Sequence, residues 1–337
     1  MKKRVFCFLA AFCLAASVSA CKHSVKGTEK KLSIVTTIFP EYDWVMSILG
    51  EEKDVADVTM LLDNGVDLHS YQPSAEDILK ITSCDMFIYV GGESDEWVED
   101  VLKESSNKDM VVIDLLEVLG DQVKEEEVVE GMEHEHDHDE DHDHDHDHEE
   151  DHDHEHEEVE YDEHVWLSLR NAKTFCVRIE SELEKLDPAH KDSYKKNLDA
   201  YVAELDSLDA EYQKVVGSAA KKTILFADRF PFRYLTDDYG LTYYAAFAGC
   251  SAESEASFET IVFLAQKVDE LDLGVVLTIE GAKHKIAETV VENASKEGVR
   301  ILVMDSLQSV TGSDVKNGVS YISVMKSNLE VLKEALG

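Results

Sequence analysis

The residues of this chain best suited to chemistry lie in one run between Glu133 and Glu158, EHEHDHDEDHDHDHDHEEDHDHEHEE. The run contains ten of the 15 histidines, separated by sixteen acidic residues and by no apolar residue. Imidazole nitrogen is a preferred ligand of Zn²⁺, and the surrounding carboxylates attract cations in general. In an extended chain residues i and i+2 point the same way, so histidines can line one side and acids the other. A charged spacer would need only the acids, and the histidines therefore indicate metal binding.

The same run predicts disorder, because it has no apolar side chain whose burial could offset the entropy of ordering the chain. We therefore expect a disordered loop rich in histidine and acid over residues 121–162. The histidines expected to collect zinc in this loop are His134, His136, His138, His142, His144, His146, His148, His152, His154 and His156.

The composition limits the classes of function open to the chain. Its 337 residues are enough for two domains of ordinary size. The net charge is −40, and the chain remains acidic when the histidine-rich run is set aside. This charge argues against nucleic acid and anionic membrane surfaces as partners.

The N-terminus predicts export and lipid attachment. Residues 2–4 are basic, and residues 5–16 are apolar but too few to span a bilayer comfortably. The sequence VSAC ending at Cys21 resembles the lipobox of bacterial lipoproteins, in which the cysteine carries lipid. We expect residues 1–20 to be a lipoprotein signal peptide and 21–31 a lipidated tether, holding the protein at the outer face of the cytoplasmic membrane. The alternative is an ordinary signal peptide followed by an incidental cysteine.

Cysteine usage excludes some kinds of site. After the expected signal peptide and Cys21, the body of the chain keeps only Cys84, Cys176 and Cys250. No CxxC pair is present, so neither a thiolate zinc knuckle nor a thioredoxin-like site is predicted. At most one disulfide could form.

Apolar runs and their spacing predict an α/β protein. The strands expected in the first half cover residues 32–38, 54–60, 86–92 and 110–114, and those in the second half cover 222–227, 241–247, 274–279 and 300–304. Helices are expected between strands, which is the pattern of a parallel sheet covered by helices. We predict two lobes, 32–170 and 220–337, each with a four-stranded parallel sheet flanked by helices. Ligands of such sheets bind beyond the carboxyl ends of the strands.

Connecting helices are expected between the lobes, over residues 171–219. Asp187 and Pro188 are typical of a helix start. One apolar stripe then recurs at steps of four and three, formed by Tyr194, Leu198, Tyr201, Leu205, Leu208, Tyr212 and Val215. It predicts one long rigid helix of about 40 Å that joins the two lobes of a clamp. The alternative is a surface helix of one larger domain.

Few histidines lie outside the histidine-rich run, and two of them occupy positions suited to a site. His23 lies in the tether and His190 near the start of the long helix, so we expect both to be solvated. His69 follows the second strand, and His164 follows the acidic loop. Either could be a structural histidine held by hydrogen bonds, but their position beside a zinc-collecting segment favours metal binding.

Several segments together resemble the solute receptors of bacterial zinc and manganese ABC importers. They are TIFPEYDW at 37–44, GVDLHSYQPS at 65–74, GGESDEW at 91–97, EHVWLSLRNA at 163–172, and MDSL at 304–307 followed by a terminal helix with Tyr321 and Asn328. The resemblance is closest to zinc-uptake receptors with a His/Asp-rich loop, and it covers nearly all of the mature chain. In the first histidine motif, Leu68 stands where the family usually has proline.

The resemblance implies that His69, His164 and Asp305 are metal ligands. Two imidazoles and one carboxylate suit zinc, whereas a site richer in oxygen would favour manganese. Zn²⁺ is therefore the expected transported ligand, with Mn²⁺ as an alternative. The implied partner is an ABC permease in the membrane, and the receptor is expected to be a monomer.

One ligand of the family pattern is missing. The family supplies a histidine or glutamate after the first strand of the second lobe, and Arg229 stands at that position. Arginine does not bind metal ions at working pH. Asp228 could substitute, then Glu280 after its own strand, or water could fill the place. Arg229 could instead pair with a carboxylate near the site.

We considered three functions from the sequence alone. The first is an anchored receptor that captures zinc between two lobes and delivers it to a permease. The second is an extracytoplasmic zinc hydrolase, against which the chain has no HExxH, GxSxG or P-loop motif. The third is a surface adhesin or zinc buffer whose lobes only display the loop. We expect the receptor, and no enzyme activity.

Overall fold

The computed structural model describes residues 31–132, 160–251, 255–281 and 283–337. The first half contains β1 (Leu32–Thr36), α1 (Phe39–Leu49), β2 (Ala56–Met60), α2 (Ala75–Ser83), β3 (Met86–Tyr89), α3 (Trp97–Lys103), β4 (Val111–Asp114) and α4 (Leu115–Leu119). Two long helices follow, α5 (Leu169–Leu186) and α6 (Lys191–Ser218). The second half contains β5 (Thr223–Arg229), α7 (Arg233–Tyr239), β6 (Thr242–Phe247), α8 (Phe258–Glu270), β7 (Val275–Ile279), α9 (Lys285–Asn293), β8 (Arg300–Met304), α10 (Gly312–Lys316) and α11 (Tyr321–Leu336).

The strands form two four-stranded parallel sheets. Their orders are β2-β1-β3-β4 and β6-β5-β7-β8. In the first sheet Ile34 of β1 pairs with Val58 on one side and Met86 on the other. All five residues of β7 are buried, as expected for a central strand covered by helices on both faces. The predicted fold class, two lobes with four parallel strands each, is confirmed.

The long helix is confirmed, but its start was predicted three to four residues too early. Helix α6 begins at Lys191, because Asp187 serves the preceding turn instead. The Asp187 carboxylate lies 2.6 Å from the Nδ1 of His190 and accepts a 2.6 Å hydrogen bond from the hydroxyl of Tyr194. His190 is therefore a partner of this turn, and its side chain is still 32% exposed.

One face of α6 is buried along the whole helix. The buried residues are Tyr194, Leu198, Tyr201, Leu205, Leu208, Tyr212 and Val216. The stripe therefore ends on Val216, and Val215 is only partly buried against the core. The predicted periodicity was otherwise correct, because it follows the 3.6-residue turn of the helix.

The two lobes share one apolar core through their helices. The ring centroid of Trp44 in α1 lies 5.6 Å from that of Phe175 in α5 and 5.4 Å from that of Tyr321 in α11. Helix α6 is tied to both lobes, since Asn197 donates to the Ile48 carbonyl and Tyr212 donates to the carbonyl of Met325. Separating the lobes would expose these buried aromatic groups to water, so the joining helices restrict hinge motion.

The predicted disordered loop, 121–162, is too wide at both ends. Glu125 and Tyr161 form an antiparallel bridge, and the backbone N–H of Asp162 donates to the Lys124 carbonyl at 2.9 Å. This flank of the loop is ordered because its apolar side chains are buried. Met132 is buried, and its neighbours in this flank pack against the core. Residues 133–159, with the ten histidines of the run, lie outside the described residues, as do the signal peptide and Cys21.

Two smaller features complete the fold. The terminal helix expected at Tyr321 and Asn328 is α11, and a separate helix, α10, precedes it, because Gly318 takes a φ of 91° and Ser320 caps α11. Within the described ranges no helix combines the length and hydropathy needed to cross a membrane.

The junction of α1, α6 and α11 contains a buried carboxylate whose charge should set part of the pH dependence of stability. Asp43 accepts hydrogen bonds from the Tyr321 N–H and the Tyr201 hydroxyl. Burial nevertheless raises the pKa of Asp43 from 3.8 to about 6. The folded state therefore keeps a proton that the unfolded chain has lost, and the stability contributed by Asp43 falls as pH rises from about 4 through 6.

We expect Asp43→Asn to gain stability relative to the natural chain as pH rises from 4 to 7.5, by up to about 3 kcal/mol, because asparagine carries no charge to bury. Urea unfolding of both proteins across this pH range measures the difference. Parallel stability curves for the two proteins would contradict the assignment.

Candidate metal centre

His69 is positioned by a short turn that follows β2. It lies in the 3₁₀ helix Leu68–Ser70, where buried Leu68 anchors the turn and Asp67 accepts a 3.0 Å hydrogen bond from the His69 backbone N–H. The His69 Nδ1 lies 2.8 Å from the Ser94 Oγ and 3.4 Å from the Glu163 Oε2. The ring is therefore held on its Nδ1 side, and its Nε2 is left to face the interior of the site.

His164 is fully buried, and its segment is held by Asp162 of the first lobe and by contacts with the second lobe. Asp162 accepts from the His164 backbone N–H at 2.8 Å, and the same carboxylate oxygen lies 3.1 Å from the ring Nδ1. Trp166, two residues later, donates to the Ser306 carbonyl at 2.9 Å. The Tyr234 hydroxyl donates to the carbonyl of Asp162 at 2.9 Å. The segment is thus fixed on both sides of the histidine.

The two imidazoles meet with their Nε2 atoms 3.2 Å apart. A carboxylate beside each Nδ1 favours the tautomer with the proton on Nδ1, which leaves both Nε2 lone pairs free. Two lone pairs at this distance repel unless a cation lies between them. Zinc–nitrogen bonds of about 2.0–2.1 Å in a tetrahedron place two ligand nitrogens about 3.3 Å apart. The two Nε2 atoms are therefore spaced as two ligands of one zinc ion would be.

A third donor lies beside the histidine pair. Within the described parts of the chain, His69, His164 and Cys250 form one group whose ligand atoms all lie within 4.8 Å of one another. Cys250 follows β6, and its backbone N–H donates to the Glu126 Oε1 at 2.8 Å. Cys84, Cys176 and Cys250 are all free thiols.

The surroundings of this group carry an excess of negative charge. Burial raises the pKa of the Cys250 thiol, and Glu126, Asp162 and Glu163 raise it further. Burial also raises the pKa of Glu126. Burial opposes ionisation of Glu163, but its hydrogen bonds, led by the one with His69, outweigh this effect and lower its pKa. A divalent cation would offset the repulsion among these groups.

The predicted acidic ligands are engaged elsewhere. Asp228 accepts from the N–H groups of Arg229 and Ile279, and burial raises its pKa. Glu280 accepts from both the backbone N–H and the hydroxyl of Ser306.

Asp305 accepts from the Leu307 N–H at 2.7 Å. Burial first and Glu280 second raise the pKa of Asp305 to about 6. Among the described residues, the structure does not bring Asp305, Asp228 or Glu280 into the group formed with His69 and His164.

Arg229 pairs with a carboxylate near the site, which was one of the expected alternatives. Its Nη2 lies 2.6 Å from the Asp67 Oδ2, and its Nη1 lies 3.5 Å from the Ser251 carbonyl. Burial opposes ionisation of Asp67, but Arg229 and His69 outweigh it and lower the pKa of Asp67. The guanidinium group thus links the turn of His69 in the first lobe to β5 in the second.

A cleft of about 880 Å³ leads to the site between the two lobes. Gly65, Asp67, His69 and Ser70 line it from the first lobe, and Asp228, Arg229, Glu280 and His284 from the second. His69 therefore lines this cleft, while His164 is fully buried and does not line it.

Sequence reasoning missed Cys250 and the acids that hold the histidines. The signal for the acids was present, because Asp67 and His69 have the same D-x-H spacing as Asp162 and His164. In both cases the aspartate accepts from the histidine backbone N–H. A single cysteine carries no comparable spacing signal, and only the fold places Cys250 beside the histidines.

A family model described as "Zinc-uptake complex component A periplasmic" matches residues 34–335. The zinc-binding lipoprotein AdcA of Streptococcus pneumoniae is 33% identical over 336 residues, which are 98% of this chain and 61% of AdcA. The chain therefore spans about three fifths of the length of this relative. The high-affinity zinc uptake system protein ZnuA of Bacillus subtilis is 31% identical over 334 residues, covering 98% of this chain and 97% of ZnuA.

Solved structures share the fold over most of the chain. The Zn(II)-bound ZnuA-like domain of Streptococcus pneumoniae AdcA superposes with a TM-score of 0.68 at 30% identity, covering 91% of this chain and 99% of that domain. The metal-dependent lipoprotein YcdH of Bacillus subtilis gives a TM-score of 0.70 at 27% identity, with coverage of 91% and 99%. The two-lobed arrangement is therefore that of these metal-binding proteins.

The Asp162–His164 pair yields a testable prediction. Asp162→Asn should weaken Zn²⁺ binding about 10–100-fold, because the ring loses the carboxylate that orients it and raises its basicity. Competition with a chromophoric chelator measures the affinity. Asp187→Asn is the matched control, since Asp187 also contacts a histidine Nδ1 but at the distant turn before α6. Equal affinities for the two variants would contradict a role for Asp162 at the site.

Proposed function

The chain belongs to the family of zinc-uptake complex component A proteins, and from this premise we propose that it is an extracytoplasmic receptor for Zn²⁺. It captures the ion between its two lobes and delivers it to an ABC permease in the membrane. We propose that its domains are a first lobe at 32–170, connecting helices at 171–219 and a second lobe at 220–337.

The observation that carries the proposal is the 3.2 Å approach of two buried imidazole Nε2 atoms from separate segments of the chain. Each ring has a carboxylate at its Nδ1, from Glu163 for His69 and from Asp162 for His164. Histidines backed by carboxylates in this way are typical of zinc ligands.

The enclosure of the site supports a receptor and not an enzyme. The side chain of His164 has no exposed surface, and that of His69 is 10% exposed. A catalytic zinc site presents an open position to its substrate, whereas these two histidines are enclosed by protein. The nearby Asp162 and Glu163 are engaged with the histidines, so neither is placed to act as a general base on a substrate.

We propose that Cys21 carries the lipid that holds the receptor at the outer face of the cytoplasmic membrane. The related AdcA of Streptococcus pneumoniae is named a zinc-binding lipoprotein. An anchored receptor stays close to its permease, which raises its effective concentration there.

The histidine-rich run of 133–158 is proposed to collect zinc for the enclosed site. Both ends of the loop that carries it are fixed beside that site, by Glu126 on one flank and by Asp162 on the other. Ions held weakly by the run therefore dwell near the cleft, and the tether keeps their effective concentration high. The histidine-rich run is proposed to bind Zn²⁺ quickly and weakly, and the enclosed site to retain the ion.

Deleting residues 133–158 separates the receptor from a zinc buffer. A receptor should keep one tight Zn²⁺ site and lose several weaker ones, because the two sets of ligands are separate. Calorimetric titration of the natural chain and of the deletion variant counts both classes. Loss of essentially all binding on deletion would identify the protein as a buffer that only displays the loop.

Single histidine substitutions test the enclosed site directly. His69→Ala and His164→Ala should each abolish tight binding with little loss of helical content, since two imidazoles cannot be reduced to one without opening the coordination sphere. The control is His190→Ala, which removes a histidine from the turn before α6. A variant at His69 or His164 that kept the natural affinity would make that residue structural.

A further inference from the structure

We propose that the thiolate of Cys250 is the third protein ligand of the bound zinc ion. The inference rests on the proposed function, because it assigns a residue to the site in which that function places the ion. Cys250 would replace the ligand that the family has at the position of Arg229.

The geometry that points to Cys250 is its place in the cluster of donors. Its Sγ and the donor nitrogens of His69 and His164 all lie within 4.8 Å of one another. A tetrahedral zinc ion with bonds of about 2.0–2.1 Å to nitrogen and 2.3 Å to sulfur needs donor separations of roughly 3.3–3.6 Å. Small side-chain rotations bring the three atoms onto one ion.

The backbone before Cys250 is adapted to this approach. A Cβ atom at Gly249 would lie 2.9 Å from the Phe230 carbonyl oxygen and 3.1 Å from the His164 ring. Only glycine lets the chain after β6 pass this close to the imidazole. The next residue, Cys250, is thereby placed beside the ring nitrogens of His69 and His164.

The nearby acids are less suitable as ligands of the same ion. The Glu163 and Asp162 carboxylates lie at the Nδ1 atoms of His69 and His164, on the opposite side of each ring from Nε2. Glu126 accepts from the Cys250 backbone N–H. The thiol, by contrast, is grouped with the ring nitrogens of the histidine pair.

Arg229 has a different role in this arrangement. Its guanidinium group cannot bind a metal ion, but it contacts Asp67, which caps the turn of His69, and the Ser251 carbonyl next to Cys250. Arg229 is therefore a positioning residue that holds two ligand-bearing segments together across the lobes. The proposed third ligand lies after β6, whereas the family pattern places it after β5.

The coordination step balances without any further reagent. The S–H bond of Cys250 breaks, a zinc–sulfur bond forms, and the proton passes to solvent. The resulting set of two imidazoles and one thiolate is softer than a set of two imidazoles and carboxylates. It favours Zn²⁺ over Mn²⁺, because thiolate is a poor ligand for manganese.

Cobalt substitution tests the assignment on the full chain. One equivalent of Co²⁺ should give the natural protein a thiolate-to-cobalt charge-transfer band in the near ultraviolet, which imidazole and carboxylate ligands do not produce. Cys250→Ser should lose the band, and the matched control Cys84→Ser should keep it, since Cys84 is buried in the core of the first lobe. A band that persists in Cys250→Ser, or that is absent from the natural protein, overturns the proposal.

Metal affinities add a second readout. Cys250→Ser should bind Zn²⁺ more than about 100-fold more weakly, since even the loss of an outer partner costs about 10–100-fold. The affinity of Cys250→Ser for Mn²⁺ should change far less. The ratio of its zinc affinity to its manganese affinity should therefore fall. An unchanged zinc affinity in Cys250→Ser refutes the cysteine ligand while leaving the receptor intact, whereas absence of tight zinc binding in the natural protein refutes the proposed function itself.

Protection of the thiol covers the case in which Cys250→Ser fails to fold. In the natural protein, one equivalent of Zn²⁺ should slow alkylation of Cys250, measured by mass spectrometry of the cysteine peptides. Cys84 and Cys176 are fully buried and serve as internal references. Equal alkylation of Cys250 with and without zinc would also overturn the proposal.

Discussion

The approach of the His69 and His164 Nε2 atoms to 3.2 Å is the constraint on which the rest of the structure depends. Two imidazole lone pairs at that distance, surrounded by buried carboxylates, are unfavourable without a cation. The protein maintains them with one repeated device, an aspartate two residues before each histidine that accepts from the histidine backbone N–H. With a proton on each Nδ1 the two lone pairs would repel, and a divalent ion between them would relieve that repulsion.

The fold supplies the rigidity that this arrangement needs. Trp44, Phe175 and Tyr321 join helices from both lobes in one core, and α6 is hydrogen-bonded to each lobe. Across the cleft, Arg229 and Asp67 add an ion pair at 2.6 Å. These contacts restrict hinge motion, so in the proposed receptor the ion would enter and leave through local movement of the loops that line the cleft.

Sequence reasoning predicted the fold better than the site. Apolar runs such as Leu32–Thr36 and Val275–Ile279 gave all eight strands, because burial on both sheet faces demands continuous apolar residues. His69 and His164 were predicted together from motifs that are local in sequence, and the structure places their Nε2 atoms 3.2 Å apart. Cys250 was not predicted, since its approach depends on tertiary packing against the His164 segment. The carboxylate of Asp305 accepts a hydrogen bond within a turn that the sequence pattern does not predict.

The central claim is that one zinc ion is held by the two histidines and a thiolate in an enclosed site. X-ray absorption at the zinc edge, on protein loaded with one equivalent of Zn²⁺, measures this coordination directly. The account predicts nitrogen at about 2.0–2.1 Å with the outer-shell pattern of imidazole, and one sulfur at about 2.3 Å. A shell of oxygen and nitrogen alone, without sulfur and without that pattern, would contradict it.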